Sequence, residues 1–221
     1  MNAPVCIFDL DGTLIDSLAD LAQAMNAALK ENGFAPHPTE AYRRLVGSGA
    51  AVLVNRAIGR EDAGHSPEQE AVLAAFGRYY EAHCLDQTRP YEGILPLLSA
   101  LQERGVRCAV LSNKPEPFTR QIVEALFPAS AFALIRGKRE GVPRKPDPTA
   151  VREILRELSC PEDGCVYIGD SDVDMQTASN AGVFKIGVTW GFRGLQELLQ
   201  SGADAIAQTP GDILTILEER L

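Results

Sequence analysis

The chain has 221 residues, of which 45% are hydrophobic and 23% charged, a balance typical of a globular protein that excludes extensive disorder. Its 21 basic and 30 acidic residues give a formal net charge of −9, so the molecule as a whole repels nucleic acid and anionic lipid. It has no apolar run of the ~20 residues that span a bilayer, no signal pattern and no C-x-x-C pair among its cysteines, so we expect a reduced, cytoplasmic protein.

Short apolar runs alternate with stretches of helical period along most of the chain. The sequence predicts strands at 5–8, 106–111, 131–135, 165–168 and 183–188. It predicts helices between and after them at 94–104, 116–127, 148–158, 172–180, 195–200 and 212–220. This alternation is typical of an α/β fold with a doubly wound parallel sheet.

Residues 17–88 interrupt the alternation because they contain no convincing strand. Helices are predicted there at 17–31, 39–46, 50–58 and 67–84, with linkers at 47–49 and 59–66. We expect the four helices to form a cap that is inserted after the first strand, over the carboxyl end of the sheet. The predicted organisation is an α/β catalytic core at 1–16 and 89–221 and a helical cap at 17–88.

Candidate functional residues follow the predicted strands. Asp9 and Asp11 end the first strand, and the single residue between them places both carboxylates on one side of an extended backbone. Further polar residues follow the next three strands: Ser112, Asn113 and Lys114; then Lys145; then Asp170 and Asp174. Ligands of open α/β sheets bind outside the carboxyl ends of the strands, so we expect these side chains to line one site.

These residue types suit phosphoryl transfer. A carboxylate such as Asp9 can attack a phosphoryl group as a covalent nucleophile, and Asp11 can act as the acid/base. Asp170 adds an oxygen ligand for a hard cation such as Mg²⁺. Lys145 and Ser112 provide a positive charge and a hydroxyl donor for the phosphoryl oxygens.

The segment Asp9-Leu10-Asp11-Gly12-Thr13, followed by Ser112, Lys145 and Gly169-Asp170 with Asp174, resembles the four-motif pattern of the haloacid dehalogenase-like superfamily. The resemblance covers most of the chain and implies a Rossmannoid core. It implies that Asp9 is the nucleophile and Asp11 the general acid/base.

The same resemblance implies a magnesium site and a phosphoryl site. Mg²⁺ would be held by the carboxylates of Asp9 and Asp170 and by the main-chain carbonyl of Asp11, with Asp174 as a supporting carboxylate. The phosphoryl group would be bound by three residues: Ser112, Asn113 and Lys145. The role of Lys114, near the phosphate or solvated, stays open at this point, as do the roles of Arg43, Arg44 and Arg56 in the predicted cap.

Within the superfamily, helices inserted after the first strand are similar to the C1-type cap of one large branch. The segments 46–53, Arg56-Ala57, 180–183 and 188–191 resemble phosphoglycolate phosphatases. This implies a small phosphorylated metabolite as substrate, with 2-phosphoglycolate as the first candidate. The stretch 137–143 departs from the corresponding loop of those enzymes and leaves the substrate open.

Other functions on the same fold remain alternatives. A phosphomutase similar to β-phosphoglucomutase would return the phosphoryl group to a sugar, and a pyrophosphatase would cleave a phosphoanhydride. A phosphonate hydrolase would need a Schiff-base lysine in the cap, where Lys30 is the available residue. A dehalogenase is disfavoured by Asp11 and the acidic metal site. A non-enzymatic metabolite-binding module is least favoured, because no core catalytic position is substituted.

Overall fold

A computed structural model of the protein describes residues 4–60 and 66–220. The chain divides into two compact units, Met1–Ile15 with Pro90–Leu221 and Asp16–Arg89. The linker predicted at 59–66 lies largely outside the described residues.

The strands and helices are bounded as follows. The strands are β1 (Val5–Phe8), β2 (Ile15–Asp16), β3 (Arg89–Pro90), β4 (Arg107–Pro115), β5 (Leu134–Lys138), β6 (Cys165–Gly169), β7 (Phe184–Val188) and β8 (Ala205–Ala207). The helices are α1 (Leu18–Glu31), α2 (Tyr42–Leu45), α3 (Ala50–Ala57), α4 (Pro67–His83), α5 (Ile94–Glu103), α6 (Glu116–Leu126), α7 (Thr149–Glu157), α8 (Asp172–Ala181), α9 (Leu195–Gln200) and α10 (Pro210–Arg220). Short 3₁₀ helices cover Thr39–Ala41 and Glu162–Gly164.

The larger unit contains a sheet in the order β5-β4-β1-β6-β7-β8, in which every neighbouring pair is parallel. Helices flank the sheet, so the predicted α/β fold with a doubly wound parallel sheet is confirmed. The central strand β1 is buried at all four positions, as its unbroken apolar sequence predicts. Its last residue, Phe8, pairs with Val110 of β4 and Ile168 of β6. The residues that follow these three positions therefore emerge together at the carboxyl edge.

One face of the sheet packs against α7 and α8. Val5, Ile7 and Tyr167 point into this layer from the strands, and Val151 and Ile154 meet them from α7. All five side chains are at most 1% exposed. Because the central strands are covered in this way, their carboxyl ends are held rigidly enough to position charged side chains.

Three strand predictions differ from the structure. The second strand was predicted to end at residue 111, but β4 continues to Pro115, where it pairs with Lys138 of β5. The third strand was predicted at 131–135, and β5 instead begins at Leu134, because the chain first turns with Ala131 N donating to Pro128 O. The short strand β8 was not predicted, since three residues are too few to show a period.

The helical unit is built from α1 to α4. The helix predicted at 39–46 is divided into a 3₁₀ turn and the short helix α2. The buried carboxylate of Asp20 on α1 accepts from Gln87 N, from Thr88 N at 2.8 Å and from Thr88 Oγ1 at 2.7 Å. These hydrogen bonds hold α1 against residues 87 and 88, near the end of the unit. Within residues 4–60 and 66–220, every helix falls short of the length and apolarity that a bilayer crossing requires.

Candidate active site

The turn after β1 places the first carboxylate of the site. Asp9 continues the sheet pairing, with its N–H donating to Ile168 O at 2.9 Å. The chain then turns back, and Leu14 N donates to Leu10 O at 3.0 Å. Gly12 adopts φ +91°, and a Cβ atom there would collide with the carboxylate of Asp170. Glycine is therefore required for two independent reasons, its backbone conformation and the close approach of Asp170.

Lys145 lies at the centre of the charged cluster. Its ammonium donates to Asp9 Oδ1 at 2.6 Å, to Asp174 Oδ1 at 2.8 Å and to Leu111 O at 3.1 Å. Burial alone would lower the pKa of Lys145, but the carboxylates of Asp174 and Asp9 outweigh it and raise the pKa well above its usual value. Lys145 is therefore a fixed cation beside the predicted nucleophile.

The environment of Asp9 opposes its ionisation. Burial raises the pKa of Asp9 well above its ordinary value; Lys145 opposes this shift, and the charges of Asp174 and Asp170 add to it. Ionised Asp9 therefore depends on nearby positive charge, and Lys145 supplies part of it.

Asn113 holds Lys145 through its main chain. The N–H of Lys145 donates to Asn113 Oδ1 at 2.9 Å, and Asn113 Nδ2 donates to Lys145 O at 3.3 Å. Both ends of the Asn113 amide thus contact the main chain of Lys145, and phosphoryl binding by Asn113 stays a prediction. Ser112 is also buried, and its Oγ accepts from Lys114 N at 3.1 Å.

Asp174 positions Lys145 from the first turn of α8. Its Oδ2 accepts from Ser171 Oγ at 2.6 Å and from Ser171 N at 3.1 Å, which completes a capping box at the helix N-terminus. Its Oδ1 accepts from Lys145 and, at 3.4 Å, from Tyr167 OH. Both oxygens are thus engaged by hydrogen-bond donors, which favours the supporting role of Asp174 over direct metal ligation.

Asp170 is held by the loop after β7 and by the turn after β1. Phe192 N donates to its Oδ2 at 2.8 Å, and Thr13 Oγ1 donates to its Oδ1 at 3.3 Å. Burial raises the pKa of Asp170 to about 7, and the charge of Asp174 adds to this shift. The backbone of Gly191 packs directly on the Asp170 side chain.

Three of the predicted metal-site residues lie together. Asp9, Asp170 and Asp174 each offer a carboxylate oxygen within 4.8 Å of the others, and all three are buried. Hard divalent cations prefer such oxygen ligands. Burial and the charge of Asp174 raise the pKa of Asp170, and the nearby cations Arg193 and Lys145 oppose this shift only in part. The donor set therefore fits a divalent cation bound mainly between Asp9 and Asp170.

Asp11 faces a different partner. Lys114 Nζ donates to Asp11 Oδ1 at 2.6 Å, and the two side chains are 7% and 16% exposed. The side chain of Asp11 is therefore paired with Lys114 and lies outside the cluster formed by Asp9, Asp170 and Asp174. The sequence left the role of Lys114 open, and its position directly after Ser112 and Asn113 was the available signal.

Several supporting residues were missed by sequence reasoning. Thr13, Ser171 and Tyr167 contact the charged side chains directly, and Trp190 Nε1 donates to Thr13 O at 3.0 Å. The Ser171-x-x-Asp174 spacing of a capping box was a readable signal for one of them. The contacts of Thr13 with Asp170 and Trp190 join segments far apart in the chain and have no local signal.

Known proteins resemble this chain in sequence and in fold. The model of a family described as haloacid dehalogenase-like hydrolase matches residues 6–188. Phosphoglycolate phosphatase from Rhodospirillum rubrum is 39% identical over 191 residues, which cover 84% of this chain and 79% of the relative. The enzyme of the same name from Pseudomonas putida is 37% identical over 190 residues, 84% of this chain and 69% of the relative.

A solved structure is similar over nearly the whole chain. It belongs to a protein from Lactobacillus delbrueckii subsp. bulgaricus that is provisionally assigned as a phosphoglycolate phosphatase. The two superpose with a TM-score of 0.89 at 36% sequence identity, covering 98% of this chain and 99% of the other.

Proposed function

The chain belongs to the haloacid dehalogenase-like hydrolases and is a phosphatase, and from this premise we propose that it hydrolyses small phosphomonoesters through a phosphoryl-aspartate on Asp9. We propose 2-phosphoglycolate as the substrate, because relatives 39% and 37% identical are phosphoglycolate phosphatases. The five cysteines are buried thiols outside any disulfide, which supports the proposal of a reducing, cytoplasmic location.

The observation that carries the proposal is the placement of Lys145 between Asp9 and Asp174. A buried ammonium 2.6 Å from Asp9 Oδ1 orients one oxygen of the nucleophile and opposes the rise in the pKa of Asp9 that burial causes. Asp174 and Asn113 hold that ammonium from two sides, through its side chain and its main chain. Burying these three charged side chains costs free energy, and a fixed cation beside Asp9 suits a carboxylate that must accept a phosphoryl group.

In the first step, a carboxylate oxygen of Asp9 attacks phosphorus in line with the ester bond. The P–O bond to Asp9 forms while the P–O bond to the leaving group breaks. The leaving oxygen takes the proton of the Asp11 carboxyl group, which acts as general acid. Ser112 donates to a non-bridging phosphoryl oxygen, and the positive charge of Lys145 stabilises the negative charge that develops on these oxygens.

In the second step, a water molecule attacks the phosphoryl group on Asp9. Asp11, now a carboxylate, takes a proton from this water, and the P–O bond to Asp9 breaks to release inorganic phosphate. Asp9 returns to its ionised form and Asp11 to its protonated form, so one water is consumed per ester hydrolysed.

We propose Mg²⁺ as the cofactor, held by the carboxylates of Asp9 and Asp170 and by the main-chain carbonyl of Asp11. When bound, it neutralises the facing carboxylates and polarises the phosphoryl oxygens. Thr13 and Phe192 N orient Asp170 for this role through their hydrogen bonds.

The test is phosphate release by the purified protein over a panel of small phosphomonoesters and pyrophosphate, with and without Mg²⁺. We expect Mg²⁺-dependent release that is strongest on 2-phosphoglycolate. Asp9→Asn should abolish it, since an amide cannot serve as this nucleophile. Asp172→Asn is the matched control, because Asp172 lies at the start of the same helix as Asp174 but outside the acidic cluster.

Three outcomes would contradict parts of the proposal. Equal release from every ester would retain the chemistry and remove the 2-phosphoglycolate assignment. Conversion of a sugar phosphate to its isomer without phosphate release would identify a mutase, and full activity of Asp9→Asn would remove Asp9 as the nucleophile.

A further inference from the structure

Lys114 is a second buried lysine at the site, and the phosphoryl chemistry leaves its role unexplained. It is 8% exposed, and its Nζ lies 2.6 Å from Asp11 Oδ1. The chain contains only five lysines, at positions 30, 114, 138, 145 and 185. Burying a lysine ammonium is unfavourable unless a specific interaction compensates for it. Asp11 supplies that interaction and holds the Lys114 ammonium at the site.

Lys114 and Lys145 contact different carboxylates. Lys145 donates to Asp9 and Asp174, on the side of the nucleophile. Lys114 donates to Asp11, which protonates the leaving oxygen in the proposed mechanism. The cation of Lys114 thus lies on the leaving-group side, and the proposed phosphoryl chemistry assigns it no role.

The position of the leaving group follows from the role of Asp11. Since Asp11 must approach the ester oxygen to give it a proton, a substituent on the adjoining carbon lies close to any cation that contacts Asp11. In 2-phosphoglycolate that substituent is a carboxylate, separated from the ester oxygen by a single methylene group. A lysine ammonium forms a strong charge-assisted hydrogen bond with such a group.

We infer that Lys114 determines specificity by binding a carboxylate on the carbon next to the ester oxygen. This inference rests on the proposed function. In the free protein Lys114 holds Asp11 through their ion pair. A substrate carboxylate takes the place of Asp11 on the ammonium, so the selected substrate also releases the acid/base for proton transfer. An ester with an uncharged leaving group leaves Lys114 on Asp11.

The experiment compares kcat/KM for 2-phosphoglycolate and for ethyl phosphate, which lacks the carboxylate. We expect the wild-type protein to prefer 2-phosphoglycolate. Lys114→Met should lower kcat/KM for 2-phosphoglycolate by about 10- to 100-fold, the effect of one hydrogen bond between charged groups. The same variant should therefore reduce the preference for 2-phosphoglycolate over ethyl phosphate, because ethyl phosphate has no carboxylate for Lys114 to bind. Lys138→Met, at an exposed lysine of β5, is the matched control.

Equal losses on the two substrates would overturn the inference, because Lys114 would then act only by positioning Asp11. A wild-type protein without preference between the substrates would overturn it as well, and this result needs no variant to fold. In that case phosphate release still supports the proposed phosphatase, so the two failures are distinguishable. If the wild-type protein hydrolyses neither ester, the proposed function fails and the inference fails with it.

A second wild-type measurement uses the leaving group alone. Glycolate should inhibit hydrolysis of ethyl phosphate at lower concentrations than ethylene glycol, since only glycolate carries the carboxylate. Equal inhibition by the two compounds would overturn the inference.

Discussion

The ammonium of Lys145 lies 2.6 Å from Asp9 Oδ1, although the two residues are 136 positions apart in the chain. The contact exists because Asp9 follows the central strand β1, while Lys145 is anchored by Asn113 at the end of the neighbouring strand β4. Two adjacent parallel strands thus bring the nucleophile and its cation to the same edge of the sheet. The ion pair between Lys145 and Asp9 therefore contributes both to the stability of this edge of the sheet and to its chemistry.

Removing the ammonium of Lys145 should impair both activity and stability. In Lys145→Met the carboxylates of Asp9 and Asp174 remain buried without their cation, and we expect a loss of about 3–5 kcal/mol in the free energy of unfolding. We expect kcat to fall by at least about 10²-fold, because a fixed positive charge beside the nucleophile and the phosphoryl group is lost. Urea unfolding and steady-state kinetics measure the two effects, with Lys138→Met as control. A variant that keeps wild-type kcat would exclude Lys145 from the reaction.

The stability of the metal-free protein should depend on pH through Asp170. Its pKa of about 7 in the folded state lies above the usual carboxyl value, so the folded protein keeps a proton that the unfolded chain loses. The free energy of unfolding should therefore fall as pH rises from about 4 to about 7, and Asp170 should contribute up to about 4 kcal/mol of this change. Thermal unfolding in EDTA across this range measures the slope.

Asp170→Asn is the matching variant for this pH dependence. The amide keeps the shape of the side chain but carries no charge, so the free energy of unfolding should depend less steeply on pH in the variant. At pH 8 the metal-free variant should be more stable than the metal-free wild type. Addition of Mg²⁺ should stabilise the wild type and not the variant. An unchanged slope in the variant would assign the pH dependence to other groups, Asp9 first among them.

Two glycines in the loop after β7 should respond differently to alanine. A Cβ atom at Gly191 would collide with the Cβ atom of Asp170 and the carbonyl of Gly12, whereas one at Gly194 would enter open space. We expect Gly191→Ala to lower the free energy of unfolding by about 1–3 kcal/mol and to reduce activity by displacing Asp170. Gly194→Ala should stay within about 0.5 kcal/mol of wild type. Similar effects of the two substitutions would show that the Gly191 contact is not restrictive.

The buried carboxylate of Asp20 should be a principal support of the helical unit. It accepts from Gln87 N, Thr88 N and Thr88 Oγ1, and Asp20→Asn leaves fewer acceptor sites for these donors. We expect a loss of about 2–3 kcal/mol in the free energy of unfolding, as for hydrogen bonds to a charged group. Asp86→Asn, at an exposed carboxylate nearby, should change it by less than about 0.5 kcal/mol. Equal stability of the two variants in chemical denaturation would refute this role.

Helices were predictable where the sequence shows a clear helical period, and strands where an apolar run is completely buried. The strand at 5–8 and the helix at 195–200 have the bounds that their sequences predict. The ends of β4 and β5 were not predictable, because the two strands extend each other by pairing up to Pro115 and Lys138. Hydrogen-bond pairing between distant segments has no local sequence signal.

The sequence by itself determined which reactive side chains follow buried strands, because unbroken apolar runs identify central parallel strands and their carboxyl ends share one edge. Only the tertiary structure decided the partner of each side chain. It placed Asn113 on the main chain of Lys145, and Lys114 on Asp11. The physical reason is that a buried charge takes the partner that strand register and packing bring within hydrogen-bond distance, and those distances join segments that are remote in the chain.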